Sequence, residues 1–281
     1  MRLVTWNVNS LKARLGRVEA WIKAHEPDVL CLQETKCADE AFPAGAFDAL
    51  GYASARVGSG RWNGVAIVSR VGLSDVRAGF HDEDPSVESE PRLLAATCAG
   101  VRVLSVYVPN GRSVGSPHYA AKLDWLDRLR NELDATCRVG GDVAVCGDFN
   151  VAPDDRDVWD PSSLDGATHV SDAERQALRR VEQWGLHDVV RESADDVVGP
   201  FSWWDYRGGA FHKGEGMRID LVLLSGSLAA TVRSAYVDRE ERKRGASGEV
   251  PSDHAPVVVD LDLDADHPGD VEVEVSAPPP V

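Results

Sequence analysis

Positive charge is scarce in this sequence. Its 281 residues carry 30 Lys and Arg against 46 Asp and Glu, a net charge of −16. That argues against a protein that holds nucleic acid through a general basic field, and leaves any such contact to a local cluster of cations. Six of the acids (Asp262, Asp264, Asp266, Asp270, Glu272, Glu274) fall in the last 20 residues, which hold no Lys or Arg, so the body still carries −10. No run of 18 apolar residues occurs, which excludes a membrane-spanning helix. The amino terminus, MRLVTWNVNSLKAR, lacks an apolar core, so no secretory signal is expected. Five cysteines, at 31, 37, 98, 137 and 146, are odd in number and form no CxxC pair. Reduced cytosolic thiols are therefore expected, and structural zinc is not.

What is present reads as an ordinary globular chain, 43% hydrophobic and 27% charged. One domain is expected over residues 1–262, followed by an acidic, Pro-ending, flexible tail over 263–281. β-rich runs recur at 3–6, 28–32, 64–69, 93–98, 101–108, 142–147, 219–224 and 255–261. Several are apolar at nearly every position, as strands buried on both faces are. Leu11, Leu15, Val18 and Ile22 repeat at helical spacing, as do Tyr119, Leu123, Leu126, Leu129 and Leu133 behind Pro117. Ser171 and Glu174 form a capping box, and Gly185 is expected to close that helix. The mixture predicts an α/β fold of two packed sheets with helices outside.

The informative feature is where polar residues sit. Asn7 and Asn9 end the first strand run, Gln33 and Glu34 the second. The fifth carries Tyr107 and runs into Asn110, and Asp148 and Asn150 follow the sixth. Asp220 opens the seventh, and Asp253 and His254 precede the eighth. Strand alternation puts each pair Asn7/Asn9 and Asp148/Asn150 on one face. One such pair caps a turn. Six strand ends loaded this way point to a site, and clustered acids are costly unless a cation neutralises them. The hard oxygen donors suit Mg²⁺, with Mn²⁺ as substitute, rather than zinc.

The motifs TWNVNSLKAR, LQETK, VYVPNG, GDFN, FSWWDYR, MRIDLVL and PSDHAPV occur in the order found in the exonuclease III family of DNA-repair nucleases, within the wider endonuclease/exonuclease/phosphatase superfamily. The chain resembles that family from residue 2 to about 262. The resemblance implies a four-layer α/β/β/α sandwich of two mixed β-sheets flanked by helices, with the site at one edge of the sheets. It implies cleavage of the phosphodiester 5′ to an abasic site in duplex DNA, with 3′–5′ exonuclease or 3′-end-cleaning activity. Carried over by motif, Glu34 is the principal metal ligand, and Asn7, Asp148, Asn150, Asp253 and His254 line the metal site. Asp148 and Asn150 hold the attacking water, Tyr107 lies on the phosphate side, and Asp220 partners His254. Asn9 stands where some relatives carry Asp, and Met217 where some carry Trp. The expected partners are duplex DNA with abasic sites or blocked 3′ ends and no obligate protein, for a monomer in the cytoplasm near the nucleoid.

The substrate side follows from the same motifs. Alternation puts Trp203 and Trp204 on opposite faces, so one of them is expected to line a pocket. Trp203, Met217 and Ile219 are expected to form an apolar pocket for a flipped-out abasic sugar, with Asn110 beside them. Lys12, Arg14, Lys36, Arg61, Arg112 and Arg207 near the motif loops, and the DREERKRG stretch at 238–245, are candidate phosphate contacts. Two other readings compete: another phosphoesterase of the superfamily, and a non-catalytic DNA-binding protein on this fold. The first needs a cationic pocket for several phosphates, and the second should have lost Glu34, Asp148 or His254.

Overall fold

Alternation along the strands sorts their apolar residues into an inter-sheet core and two outer ones. In the computed structural model, which describes residues 1–82, 90–194, 196–245 and 248–263, the strands are β1 (Arg2–Asn7), β2 (Val29–Gln33), β3 (Ala53–Val57), β4 (Val65–Ser69), β5 (Ser74–Ala78), β6 (Leu93–Cys98), β7 (Val101–Tyr107), β8 (Val143–Asp148), β9 (Leu186–Asp188), β10 (Asp220–Ser225), β11 (Val232–Val237) and β12 (Val257–Leu261). They form two six-stranded mixed sheets, ordered β11-β12-β1-β2-β4-β3 and β5-β6-β7-β8-β10-β9. Leu3, Cys31, Ile67, Val103, Cys146, Val222 and Val259 meet between the sheets. The opposite faces are covered by helices. Val4, Trp6 and Leu32 pack with Val18, Trp21 and Ile22 of α1 (Leu11–His25) and with Phe47 of α2 (Ala44–Asp48). Leu104, Val106 and Val145 pack with Leu126, Leu129 and Leu133 of α3 (Pro117–Thr136) and with Leu178 of α4 (Asp172–Glu182). The result is the expected α/β/β/α sandwich.

All eight expected strand runs are strands. The four that escaped the pattern, β3, β5, β9 and β11, are the four sheet edges. Edge strands stay partly solvated and polar, so they lack the apolar runs of central ones. Ser116 caps α3 with Pro117 in its first turn, and the Ser171/Glu174 capping box starts α4. Gly185, two residues past the Gln183 cap, turns the chain into β9 at φ 113°.

The inner faces change character along their length. β1 presents Leu3, Thr5 and Asn7 inward, β2 Cys31 and Gln33, β7 Val103, Ser105 and Tyr107, and β8 Cys146 and Asp148. Thr5 donates to Gln33 within one sheet at 3.1 Å, and Gln33 donates across to Ser105 of the other at 3.2 Å. Beyond this polar seam the core ends in amide, phenol and carboxylate. Register aligns them: Tyr107 pairs with Asp148 across β7 and β8, and Asp148 with Asp220 across β8 and β10. Gly147 is a spacing requirement here, since a Cβ would lie 1.9 Å from the Val106 carbonyl.

The Asp262 N–H donates to Thr231 O, its carboxylate pairs with Arg233, and Leu263 packs on the inter-sheet core. The rest of the tail, from 264 on, lies outside the described residues.

Candidate active site

Three residues that end or follow the site strands, Asn9, Glu34 and Asn150, have left-handed backbones with φ of 43°, 51° and 51°. Outside glycine such conformations are held in place by their surroundings. Asn9 and Asn150 therefore reach the site through tight turns rather than by strand alternation. In each turn the amide N–H returns to the side chain two residues earlier, Asn9 to Asn7 Oδ1 and Asn150 to Asp148 Oδ1, both at 2.9 Å.

The turns deliver a cluster. Asn7 Nδ2 donates to Glu34 Oε1 at 2.9 Å and to Asp148 Oδ2 at 3.0 Å. The Tyr107 hydroxyl donates to the same Glu34 oxygen at 2.9 Å. His254 Nδ1 lies 2.8 Å from Asp220 Oδ2, and its Nε2 lies 3.9 Å from Asp148 Oδ2, beyond hydrogen-bond reach. Asp253 accepts from Asn9 Nδ2 at 2.9 Å and from Trp203 Nε1 at 3.2 Å. Ser252 ties the loop down by donating to Asn7 O and accepting from the His254 N–H. Glu34, Tyr107, Asp148, Trp203, Asp253 and His254 line a cavity of about 190 Å3 with Asn110, Asn150, His169, Met217 and Ile219. A larger cavity of about 790 Å3, by Arg102 and Cys137, contains none of them.

Burial drives the electrostatics. Asp148 is 1% exposed. Burial and the neighbouring Asp220 and Glu34 push its carboxyl up to about 7, against the pull of His254. Burial alone lowers an imidazole, yet Asp220, Asp148 and Asp253 outweigh it and raise His254 to about 10. His254 is therefore an imidazolium with Nε2 turned towards Asp148. Tyr107 is driven up by burial and by Glu34 and Asp148, so it stays a phenol and a donor. As placed, it can donate a hydrogen bond but does not act as a phenolate. Glu34 resists burial because Lys36 and Asn7 hold its charge, and is lowered.

One atom each of Glu34, Asp148 and His254 lies within 4.8 Å of the others, a grouping able to hold a metal ion. The fit to a hard divalent cation is good for the oxygens. The Lys36 ammonium already sits 2.6 Å from both Glu34 Oε2 and Asn9 Oδ1, so this oxygen set attracts a cation. The raised Asp148 shows negative charge still uncompensated. Asn7 turns its amide nitrogen to the carboxylates and its oxygen to Asn9, so it bridges them as a donor.

An apolar cluster borders the cavity. Trp203, Met217 and Ile219 pack with Ala152 and Val158, and the Trp203 backbone bridges to Met217 and to His254. Trp204 points into the body against Phe211. The cations divide. Lys12 and Arg112 are exposed, with Arg112 N–H donating to Asn110 Oδ1. Arg207 is exposed and forked onto Asp205. Lys36 sits in the site, and Arg14 links Asn9 O to the Tyr206 hydroxyl.

Two site-supporting groups escaped the sequence reading. Lys122, fully buried, donates to Asn150 O at 2.6 Å and pairs with Glu174 at 2.5 Å. Its signal was a lysine on the apolar face of α3, three residues after Tyr119 and four before Leu126. His169 gave no signal. Its Nδ1 lies 2.5 Å from Asn150 O, which can only accept, so Nε2 is the acceptor facing Asn110 Nδ2 at 3.4 Å. Burial and Lys122 lower it to about 4, keeping it neutral.

A model of the Endonuclease/Exonuclease/phosphatase family matches residues 4–254. The chain is 31% identical over 268 residues to an exodeoxyribonuclease of Bacillus subtilis, covering 94% of this chain and all of that one. An AP endonuclease structure from Archaeoglobus fulgidus is similar at TM-score 0.88 and 37% identity, again over 94% of this chain and all of its own. The 3′ phosphatase NExo from Neisseria, bound to a product DNA hairpin, is similar at TM-score 0.87, with the same identity and coverage.

Proposed function

The chain belongs to the Endonuclease/Exonuclease/phosphatase family, and from that premise we propose that it is a Mg²⁺-dependent DNA-repair nuclease that cleaves the phosphodiester 5′ to an abasic site in duplex DNA and trims blocked 3′ ends. It is an enzyme of the exodeoxyribonuclease III type. The observation that carries the specific reaction is one cavity holding a raised carboxyl, an imidazolium and an apolar wall: Asp148, His254 and the Trp203/Met217/Ile219 surface.

Phosphodiester hydrolysis needs an aligned water, neutralised phosphate oxygens and a stabilised leaving alkoxide. Asp148, as carboxylate, accepts the proton of the attacking water, and Asn150 fixes the carboxylate through its backbone N–H. His254 Nε2 donates to a non-bridging phosphate oxygen, where negative charge grows. Asp220 keeps the ring charged and oriented. Tyr107 donates a hydrogen bond at the Glu34 side of the phosphate. Glu34, with Asp253 on the wall of the same cavity, would hold Mg²⁺ or Mn²⁺, which would supply positive charge to neutralise the phosphate and the leaving oxygen. Met217, Ile219 and Trp203 receive a flipped sugar without its base, and such a nucleotide costs least to extrude.

The same groups act at a 3′ terminus, and the similar proteins include both an AP endonuclease and a 3′ phosphatase. The enzyme acts as a single chain on duplex DNA, in the cytoplasm near the nucleoid. The test is cleavage of an abasic duplex and a 3′-phosphate duplex with Mg²⁺ or EDTA. The expected result is Mg²⁺-dependent cleavage, lost in a folded Glu34→Gln variant. Cleavage in EDTA, or full Glu34→Gln activity at low millimolar Mg²⁺, contradicts it.

A further inference from the structure

A cavity of about 330 Å3 lies behind the loop that carries Asp253 and His254. Tyr206, Phe211 and His212 form one side, and Arg242, Lys243 and Arg244 the other. Arg242 is 7% exposed. Its Nη2 donates to Trp204 O at 3.1 Å, and its guanidinium stands 5.0 Å from the Tyr206 ring centre and 5.3 Å from that of Phe211. Its Nε is buried without a hydrogen-bond partner. Glu240 pairs with Lys243 of the cavity wall, and the carboxylates near Arg242 have other partners: Glu241 pairs with Arg17, Asp205, on the cavity rim, with Arg207, and Asp253, whose charge reaches Arg242, accepts from Asn9 and Trp203. Buried cations are normally paired, and aromatic faces compensate only in part. The cavity is thus short of an anion.

The volume argues for more than a bare oxyanion, since it falls at the low end of the roughly 300–1,000 Å3 typical of small-molecule pockets. We propose that this cavity binds one nucleotide unit, with its phosphate on Arg242 and Arg244 and its base against Tyr206 and His212, beside but separate from the cleavage site. The choice of ligand rests on the nuclease reading. Arg242 supplies the forked donors that phosphate prefers, and Tyr206 and His212 supply aromatic surface for a base. The cavity also touches the catalytic loop, because the Tyr206 hydroxyl donates to Pro251 O at 2.8 Å, two residues before Asp253.

The test is calorimetric titration of the full chain with 2′-deoxyadenosine 5′-monophosphate in EDTA, with inorganic phosphate in parallel. The nucleotide should bind more tightly than phosphate. Arg242→Lys should weaken it about tenfold or more, by loss of the forked contact. Arg242 also packs the fold, so the exposed pair Lys243→Ala/Arg244→Ala is the second variant, with a loss of about threefold or more expected. Glu34→Gln should leave the nucleotide affinity unchanged. No binding, equal affinity for phosphate, unchanged affinity in both cavity variants, or loss in Glu34→Gln overturns the proposal. Displacement of the bound nucleotide by a duplex with a single-stranded extension identifies a DNA strand as its source, and retention identifies the free mononucleotide. Cleavage by the same preparations is read separately: a protein that cleaves without binding the nucleotide loses this site but remains a nuclease.

Discussion

Asp220 stands directly opposite Asp148 in the register of adjacent antiparallel strands, and both carboxylates face His254, at 2.8 and 3.9 Å. The two acids play opposite parts. Asp220 is bound to the ring, while Asp148 lies beyond hydrogen-bond reach of its other nitrogen.

Asp220→Asn removes the charge that holds the ring protonated. The imidazole pKa, raised to about 10 in the native protein, should fall. The alkaline limb of kcat/KM should move down with it, and turnover at neutral pH should drop by about 10²-fold or more. Imidazole NMR titration checks the first and a pH profile the second. An unmoved alkaline limb would remove His254 as the donor.

Asp148 makes stability and activity oppose each other. Its folded pKa is raised, so the native state binds a proton more tightly than the unfolded one. Stability present at low pH is therefore lost as pH rises from the ordinary carboxylate range through about 7. Asp148→Asn should raise Tm in metal-free buffer at pH 8 while abolishing most turnover. In the native enzyme activity should rise with pH through the Asp148 ionisation, at or below 7 once a cation lowers it. A lower Tm for the variant contradicts the burial argument.

Tyr107→Phe deletes a donor to Glu34 and removes no titrating group near neutrality. Turnover should fall about tenfold, within the worth of one charge-assisted hydrogen bond, with both limbs of the pH profile in place. A limb that disappears would restore the phenolate.

The Lys122–Glu174 pair is a positioning device for Asn150. Lys122→Met leaves Glu174 buried and unpaired and should cost about 3–5 kcal/mol, read as a lower Tm. Lys122→Met/Glu174→Leu should recover much of that stability, yet kcat should stay low because the Asn150 carbonyl has lost one of its two donors, keeping only His169. Recovery of kcat together with Tm would make the pair merely structural.

How much of this was legible depends on what each residue must do. Central strands such as Val143–Asp148 announce themselves because both faces are buried, and the site residues because carboxylates at the ends of apolar runs have no structural excuse. Edge strands such as Ser74–Ala78 are half-solvated and resemble loops. Lys36 was visible as a cation near a motif, but only the left-handed turns at Glu34 and Lys36 fold it back onto the glutamate. Arg242 sat within a charged run that resembled a solvated loop, yet its guanidinium is packed between aromatic rings. Such placements are set by turn conformations and long-range packing, which leave little trace in composition or periodicity.

The account claims that Asp148 and His254 act on one phosphodiester transition state. A double-mutant cycle tests this most directly, with single-turnover cleavage of an abasic duplex in saturating Mg²⁺ by Asp148→Asn, His254→Ala and the double variant. Each single variant should lose about 10²-fold or more, and the double variant far less than the product of the two losses. A double variant that loses the full product means that the two residues act independently, which contradicts the account.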